Sequence, residues 1–131
     1  GPWLPAAPGM HDPQTRYKVF IKASDLDNPG AANVYVLLDE HPDSINAGGF
    51  ANKMVENLAS SYIVDYPASY HNGAAGISFA DGHAEIKKWR DPRTMPAPKY
   101  NNSLLLGVLC PNNQDMAWLS DRTTVLKDGQ R

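Results

Sequence analysis

The sequence predicts a single α+β domain: an antiparallel sheet of about four strands, with short helices and long Pro/Gly-rich loops. Three observations carry that prediction. Residues 76–81 and 83–89 are two runs with alternating apolar positions that meet at Asp81-Gly82, a dipeptide suited to a tight hairpin turn. Residues 33–39 (Asn-Val-Tyr-Val-Leu-Leu-Asp) are almost continuously apolar, as in a central strand covered on both faces. Ten glycines and eleven prolines among 131 residues restrict the remaining elements to short pieces joined by irregular chain. A chain of this length buries one modest core, so residues 1–131 are read as one soluble domain.

Taken in order, residues 1–15 are Pro-rich and expected to wrap over the surface, with Trp3 and Leu4 against the core. Residues 16–21 alternate and suit a short strand or extended segment. Ser24 is placed to cap one helical turn that Asn28-Pro29-Gly30 ends. After the strand at 33–39, residues 43–49 read as a loop. Phe50, Met54, Val55 and Leu58 fall at helical spacing and predict a short helix within 50–60. Residues 62–66 read as extended.

In the hairpin, a two-residue type I′ turn would set Ala80 opposite His83, Phe79 opposite Ala84 and Ile77 opposite Ile86. Ile77, Phe79, Ala84 and Ile86 would then share the buried face, with Ser78, Glu85 and Lys87 on the other. Residues 91–102 form a second Pro-rich connection. Asn112-Asn113-Gln114 announces a helix over 115–122 with Met116, Trp118 and Leu119 near one side.

Composition removes several function classes. The net charge is −2 with no basic stripe, so nucleic acid is not an expected partner. The longest apolar run, 104–110, is too short to span a bilayer. Lone Cys110 cannot form an intramolecular disulfide, and its apolar setting before Pro111 suits a buried, inert thiol.

Chemistry concentrates in Asp39, Glu40, His41, Asp43, His71, Asp81 and His83. If the end of the first strand lies beside the hairpin turn, these oxygens and imidazoles converge on a metal. An oxygen-rich set favours calcium, and two or three imidazoles favour a transition metal. The same residues have structural uses. Asp81 suits a turn without any metal. His71 can hydrogen-bond the turn backbone, and Asp39 and Asp43 can brace a loop through backbone N–H groups. Ser44 and Ser69 lack the Gly-rich elbow that exposes a nucleophile. Metal-assisted hydrolysis by His41, His71 and His83 with Asp39 and Asp81 is therefore the alternative, and a structural role the primary reading. A third possibility is a surface made by Tyr62, Tyr66, Tyr70 and Trp89 that captures polysaccharide or peptide, against which stands their packing in the core.

His71, nine residues and then Asp81-Gly82 resembles the signature of prepilin-type H-X9-DG proteins, which are pseudopilin-like and related to the major pseudopilin of type II secretion. Two further blocks resemble the same family: residues 24–30 (Ser-Asp-Leu-Asp-Asn-Pro-Gly) and residues 37–46 (Leu-Leu-Asp-Glu-His-Pro-Asp-Ser-Ile-Asn). Together the matches cover about residues 17–90. The resemblance implies a pseudopilin-like head, with His71, Asp81 and Gly82 as the structural motif and no catalytic residues. It also implies other pseudopilin subunits and secretion machinery as partners. The location it implies is the periplasmic or cell-envelope side of an inner membrane that anchors the full-length protein. Secretion pseudopilins bind calcium in a C-terminal loop, so calcium is raised as a cofactor by analogy, although this chain does not repeat that loop. The family begins with a cleavage site and an apolar N-terminal helix. Neither is present here, and the head by itself is expected to be a soluble monomer.

Overall fold

The computed structural model describes residues 16–46 and 49–127. Trp3 and Leu4, and the Pro-rich opening to which they belong, lie outside the described residues. The strands are β1 (Tyr35–Leu38), β2 (Tyr62–Ile63), β3 (Ala74–Phe79), β4 (Ala84–Lys88) and β5 (Val108–Leu109), followed by the helix α1 (Gln114–Asp121). They form a three-stranded antiparallel sheet in the order β1-β3-β4 and a separate two-stranded sheet of β2 and β5. The expected α+β class is observed. The expected single sheet of about four strands is instead three strands plus two.

The hairpin forms one residue out of the predicted register. Ser78 pairs with Ala84, Ile77 with Glu85 and Gly76 with Ile86. A type I′ turn needs positive φ at both central residues, but only Gly82 adopts it, at 91°, while Asp81 keeps a negative φ. Gly82 N–H donates to Phe79 O, and Phe79 N–H donates to His83 O, so the loop has three residues with Gly82 as its left-handed bulge. The extra residue turns β4 over. Ile77 and Phe79 are 2% and 3% exposed as expected, whereas Ile86 is 67% exposed. Lys87 takes an inward position and covers Trp118, its Nζ 4.9 Å from the ring centroid.

β1 was expected in the centre of the sheet and lies at its edge. An irregularity between Tyr35 and Leu37 sets Tyr35 opposite Phe79 and Leu37 opposite Ser78. Tyr35 consequently faces the core, while Val36 and Leu37 are 58% and 69% exposed. The core lies on the other side of the sheet, where Tyr35, Ala75, Ile77 and Phe79 meet Ile63, Trp89, Met116 and Leu119. Cys110 is buried there, as its apolar context predicted.

α1 begins where the sequence placed it. Asn113 caps it by accepting from the N–H groups of Asp115 and Met116 at 2.9 and 3.2 Å. The short helix expected within 50–60 is absent except for a 3₁₀ turn at Leu58–Ser60. Side chains from distant segments take the backbone donors there. Ala51 N–H donates to Asp65, and Val55 N–H donates to Ser120 Oγ. Buried Asn52 accepts from the Tyr35 hydroxyl and donates to Thr123. Near the start, the 3₁₀ turn is Ala23–Asp27, and Asp25, not Ser24, accepts the N–H groups of Ile21 and Lys22. The segment at 16–21 contributes only a bridge between Tyr17 and Leu126.

Candidate functional site

The chain leaves β1 at the end opposite the hairpin turn, because β1 runs antiparallel to β3. Leu38 pairs with Ile77, and Asp39 N–H reaches Gly76 O at 3.3 Å, while the turn is tied to the start of β1 by Ala80 N–H on Val34 O. Asp39, Glu40, His41 and Asp43 are thus at one end of the sheet, and Asp81, Gly82 and His83 at the other. The convergence that the metal reading required does not form. Among the described residues, no group of three His, Cys, Asp or Glu side chains is arranged to hold a metal ion.

Three residues of the first group, Glu40, His41 and Asp43, are engaged in internal hydrogen bonds. His41 is fully buried: its Nδ1 accepts from Asp43 N–H at 3.1 Å, which places the ring proton on Nε2, 2.8 Å from Pro96 O. Asp43 is 3% exposed and accepts the N–H groups of Lys99, Asn101 and Asn102 at 2.7, 2.6 and 3.0 Å. Those donors hold its carboxyl below the usual carboxylate range, Lys99 contributing most. The loop that Asp43 braces is therefore not its own but one almost sixty residues further along. Glu40 accepts from Ser44 Oγ at 2.7 Å, and Ser44 Oγ accepts from Tyr66 N–H at 3.0 Å. Burial pushes the Glu40 carboxyl up to about 7, with Ser44 opposing and Asp65 adding to the rise. Ser44 is buried and its hydroxyl is engaged in bracing. Asp39 is exposed on the outer side of the sheet, where its Oδ2 would lie 3.2 Å from a Cβ added at Gly76.

At the hairpin, Asp81 accepts from His83 N–H at 3.0 Å and also from the His83 ring through Nδ1, while Nε2 faces Glu85 at 3.1 Å. A ring between two carboxylates is best served by two donors, and Glu85 first, then Asp81, hold the His83 pKa above its ordinary value. The ring stacks on Phe79 with centroids 4.4 Å apart and covers the end of the core. His71 does not brace the turn with its ring. The side chain is exposed and has no hydrogen-bond partner among the described residues, whereas its backbone N–H donates to Ala74 O at 3.2 Å.

Of the four aromatic residues weighed as a surface against packing in the core, Tyr66 and Trp89 are buried at 8% and 2%, and Trp89 Nε1 donates to Ala68 O at 2.8 Å. They belong to the core. Tyr70 stays outside.

The outer face of the three-stranded sheet is left open, with Leu37 and Ile86 exposed on it. Leu37, Gly76, Ser78, Ala84 and Ile86 share it, and together with their neighbours they form a shallow depression of about 570 Å³. Reading the sequence missed this face, because a two-residue turn assigned Ile86 and Ala84 to the core. It also missed Asp115, a 1% exposed carboxyl that accepts from Arg90 N–H, Asp91 N–H and Thr94 Oγ1. Its partners lie more than twenty residues away and leave no local pattern. No protein-family model matches this chain, and neither a curated protein nor a solved structure matches it.

Proposed function

We propose that the chain is the head of a pilin-like subunit, part of a type II secretion or type IV pilus-like assembly. The observation that carries this reading is the bare outer face of the β1-β3-β4 sheet. Leu37 and Ile86 are about two-thirds exposed on this surface, on a sheet whose opposite face carries the core residues Tyr35, Ala75, Ile77 and Phe79. Such a face calls for a covering element. An amphipathic helix joined to the head supplies one, and its apolar continuation anchors the full-length protein in the inner membrane. In that arrangement the head stands on the periplasmic side of the cell envelope and meets neighbouring subunits and the secretion machinery.

The motif residues fit a mechanical role. Gly82 permits the three-residue loop, Asp81 and His83 lock its tip, and the spacing from His71 measures out β3. Glu40, His41 and Asp43 support the reading in the same way, since each makes internal bonds that shape the head. None of this depends on catalysis or on a bound ion.

The test is the coding sequence upstream of Gly1. A Gly-Phe-Thr-Leu-Ile-Glu-like cleavage site followed by about twenty apolar residues supports the proposal. A polar stretch with no apolar helix before the head overturns it.

A further inference from the structure

β4 is an edge strand, because the sheet order is β1-β3-β4. Which of its backbone groups are free follows from the ladder. Phe79 N–H donates to His83 O and Trp89 N–H donates to Gly73 O, and antiparallel pairs alternate, so His83, Glu85, Lys87 and Trp89 bond toward β3. The bond from Asp39 N–H to Gly76 O fits this alternation: Gly76, opposite Ile86, turns its carbonyl to β1. Ala84, Ile86 and Lys88 therefore direct their N–H and C=O groups out of the sheet. Among the described residues nothing bonds to those groups, and all three residues are exposed. The opposite edge is partly occupied, since Tyr35 N–H donates to Arg122 O.

We propose that β4 pairs antiparallel with β4 of a second copy of this chain, about a two-fold axis at Ile86, so that the two sheets join into one. The pattern Ala84-Glu85-Ile86-Lys87-Lys88 is self-complementary in that register. Glu85 falls opposite the partner's Lys87, and Lys87 opposite the partner's Glu85. Moving the axis by one residue sets Glu85 or Lys87 against its own copy, and like charges directly opposite are destabilising. Glu85 meets the His83 ring through Oε2 only, which leaves Oε1 for the cross-strand pair, and Lys87 stands on the same inner face above Trp118. On the outer face Ile86, 67% exposed, meets the partner's Ile86, so the apolar surface of one copy continues into the other. Ala84, Ile86 and Lys88 of each copy supply about six inter-strand hydrogen bonds. Lysines on an edge ordinarily turn other strands away; here they admit one register. A strand of five residues makes a small contact, so the association is weak and reversible, in place of the monomer expected of the head alone. The pairing shares Ile86 with the outer face but does not rest on a helix covering that face.

The 131-residue chain is examined by sedimentation velocity at low salt from about 10 µM to about 1 mM, with amide exchange followed by NMR over the same range. The expected result is a mass that rises toward the dimer, with the Ile86 and Lys88 amides gaining protection as concentration increases. Lys87→Glu creates two like-charge pairs and is expected to weaken association about tenfold or more. Adding Glu85→Lys to it reverses both charges and is expected to restore association. Ile86→Pro removes an outward N–H that β3 does not use, and is expected to abolish association while the chain stays folded. Should the proline variant unfold, Lys87→Glu and its charge-reversed double variant decide the matter. A monomer at every concentration, a dimer that Lys87→Glu does not weaken, or a double variant that associates no better than Lys87→Glu overturns the proposal.

Discussion

The two isoleucines of the hairpin make the register directly measurable. Ile77 is 2% exposed and packed against the core, so Ile77→Ala leaves a cavity and is expected to cost about 2–5 kcal/mol. Ile86 is 67% exposed, so only about a third of its side-chain burial can be lost. Full burial of such a side chain is worth about 1.5–3 kcal/mol, which leaves about 0.5–1 kcal/mol for Ile86→Ala. The lower β propensity of alanine adds a few tenths of a kcal/mol. Urea unfolding of the two variants, read as a change in midpoint at constant slope, should therefore separate them by roughly 0.7 kcal/mol at the least and several kcal/mol at the most. Equal losses at both positions would mean that Ile86 is inside after all, and the three-residue loop and the exposed sheet face would both be wrong. A companion variant, Ile86→Asp, is expected to leave the domain folded, with a change in urea midpoint no larger than that of Ile86→Ala.

Three other outcomes follow from the polar groups. Asp115→Ala strands the N–H groups of Arg90 and Asp91 and the buried Thr94 hydroxyl. With about 1 kcal/mol or more for each, the loss is about 3–4 kcal/mol in equilibrium unfolding, and a loss below about 1 kcal/mol would show that water reaches those donors. Burial holds the Glu40 carboxyl at about 7 in the folded chain against an ordinary 4.5, so its contribution to stability is complete below the ordinary value and is lost as pH rises through about 7. Glu40→Gln should flatten that profile and stabilise the domain at pH 8 by on the order of 1 kcal/mol once solvent screening of this half-buried group is allowed for; an unchanged profile would refute the assignment. His83 has a dependence of the same sign at higher pH: its raised pKa makes its contribution complete below 6.5 and lost as pH climbs through the folded value. In an NMR titration Glu85→Gln should bring the His83 midpoint down toward 6.5, and a midpoint that does not move would show that Glu85 is not the partner.

Local patterns in the chain carried the hairpin, the strand near 33–39, the Asn113-capped helix and the buried cysteine, because turn chemistry, apolar continuity and capping are written in neighbouring residues. The register was not legible, since Asp-Gly serves a two-residue turn and a three-residue loop alike and only the φ of Asp81 distinguishes them. Helical spacing at Phe50, Met54, Val55 and Leu58 misled because Asp65 and Ser120 take backbone donors that a helix would have used itself. β2 and β5 have two residues each, too few to show a period. For the polar cluster, the bracing use of short acids was readable at Asp43, but the identity of the braced loop was not. The separation of Asp39 from Asp81 follows from strand direction, which residue types do not encode.

The nine residues between His71 and Asp81 are a ruler. Asn72 and Gly73, both with positive φ, swing the chain into β3; six residues make the strand; Ala80 opens the loop. Adding or removing one residue within the strand would exchange its two faces, driving Gly76 and Ser78 inward and Ile77 and Phe79 out into water. Length variation in this stretch is thus quantised in twos. A change of two lengthens or shortens the sheet by one repeat of the pleat and keeps its sidedness, whereas a change of one produces a different protein.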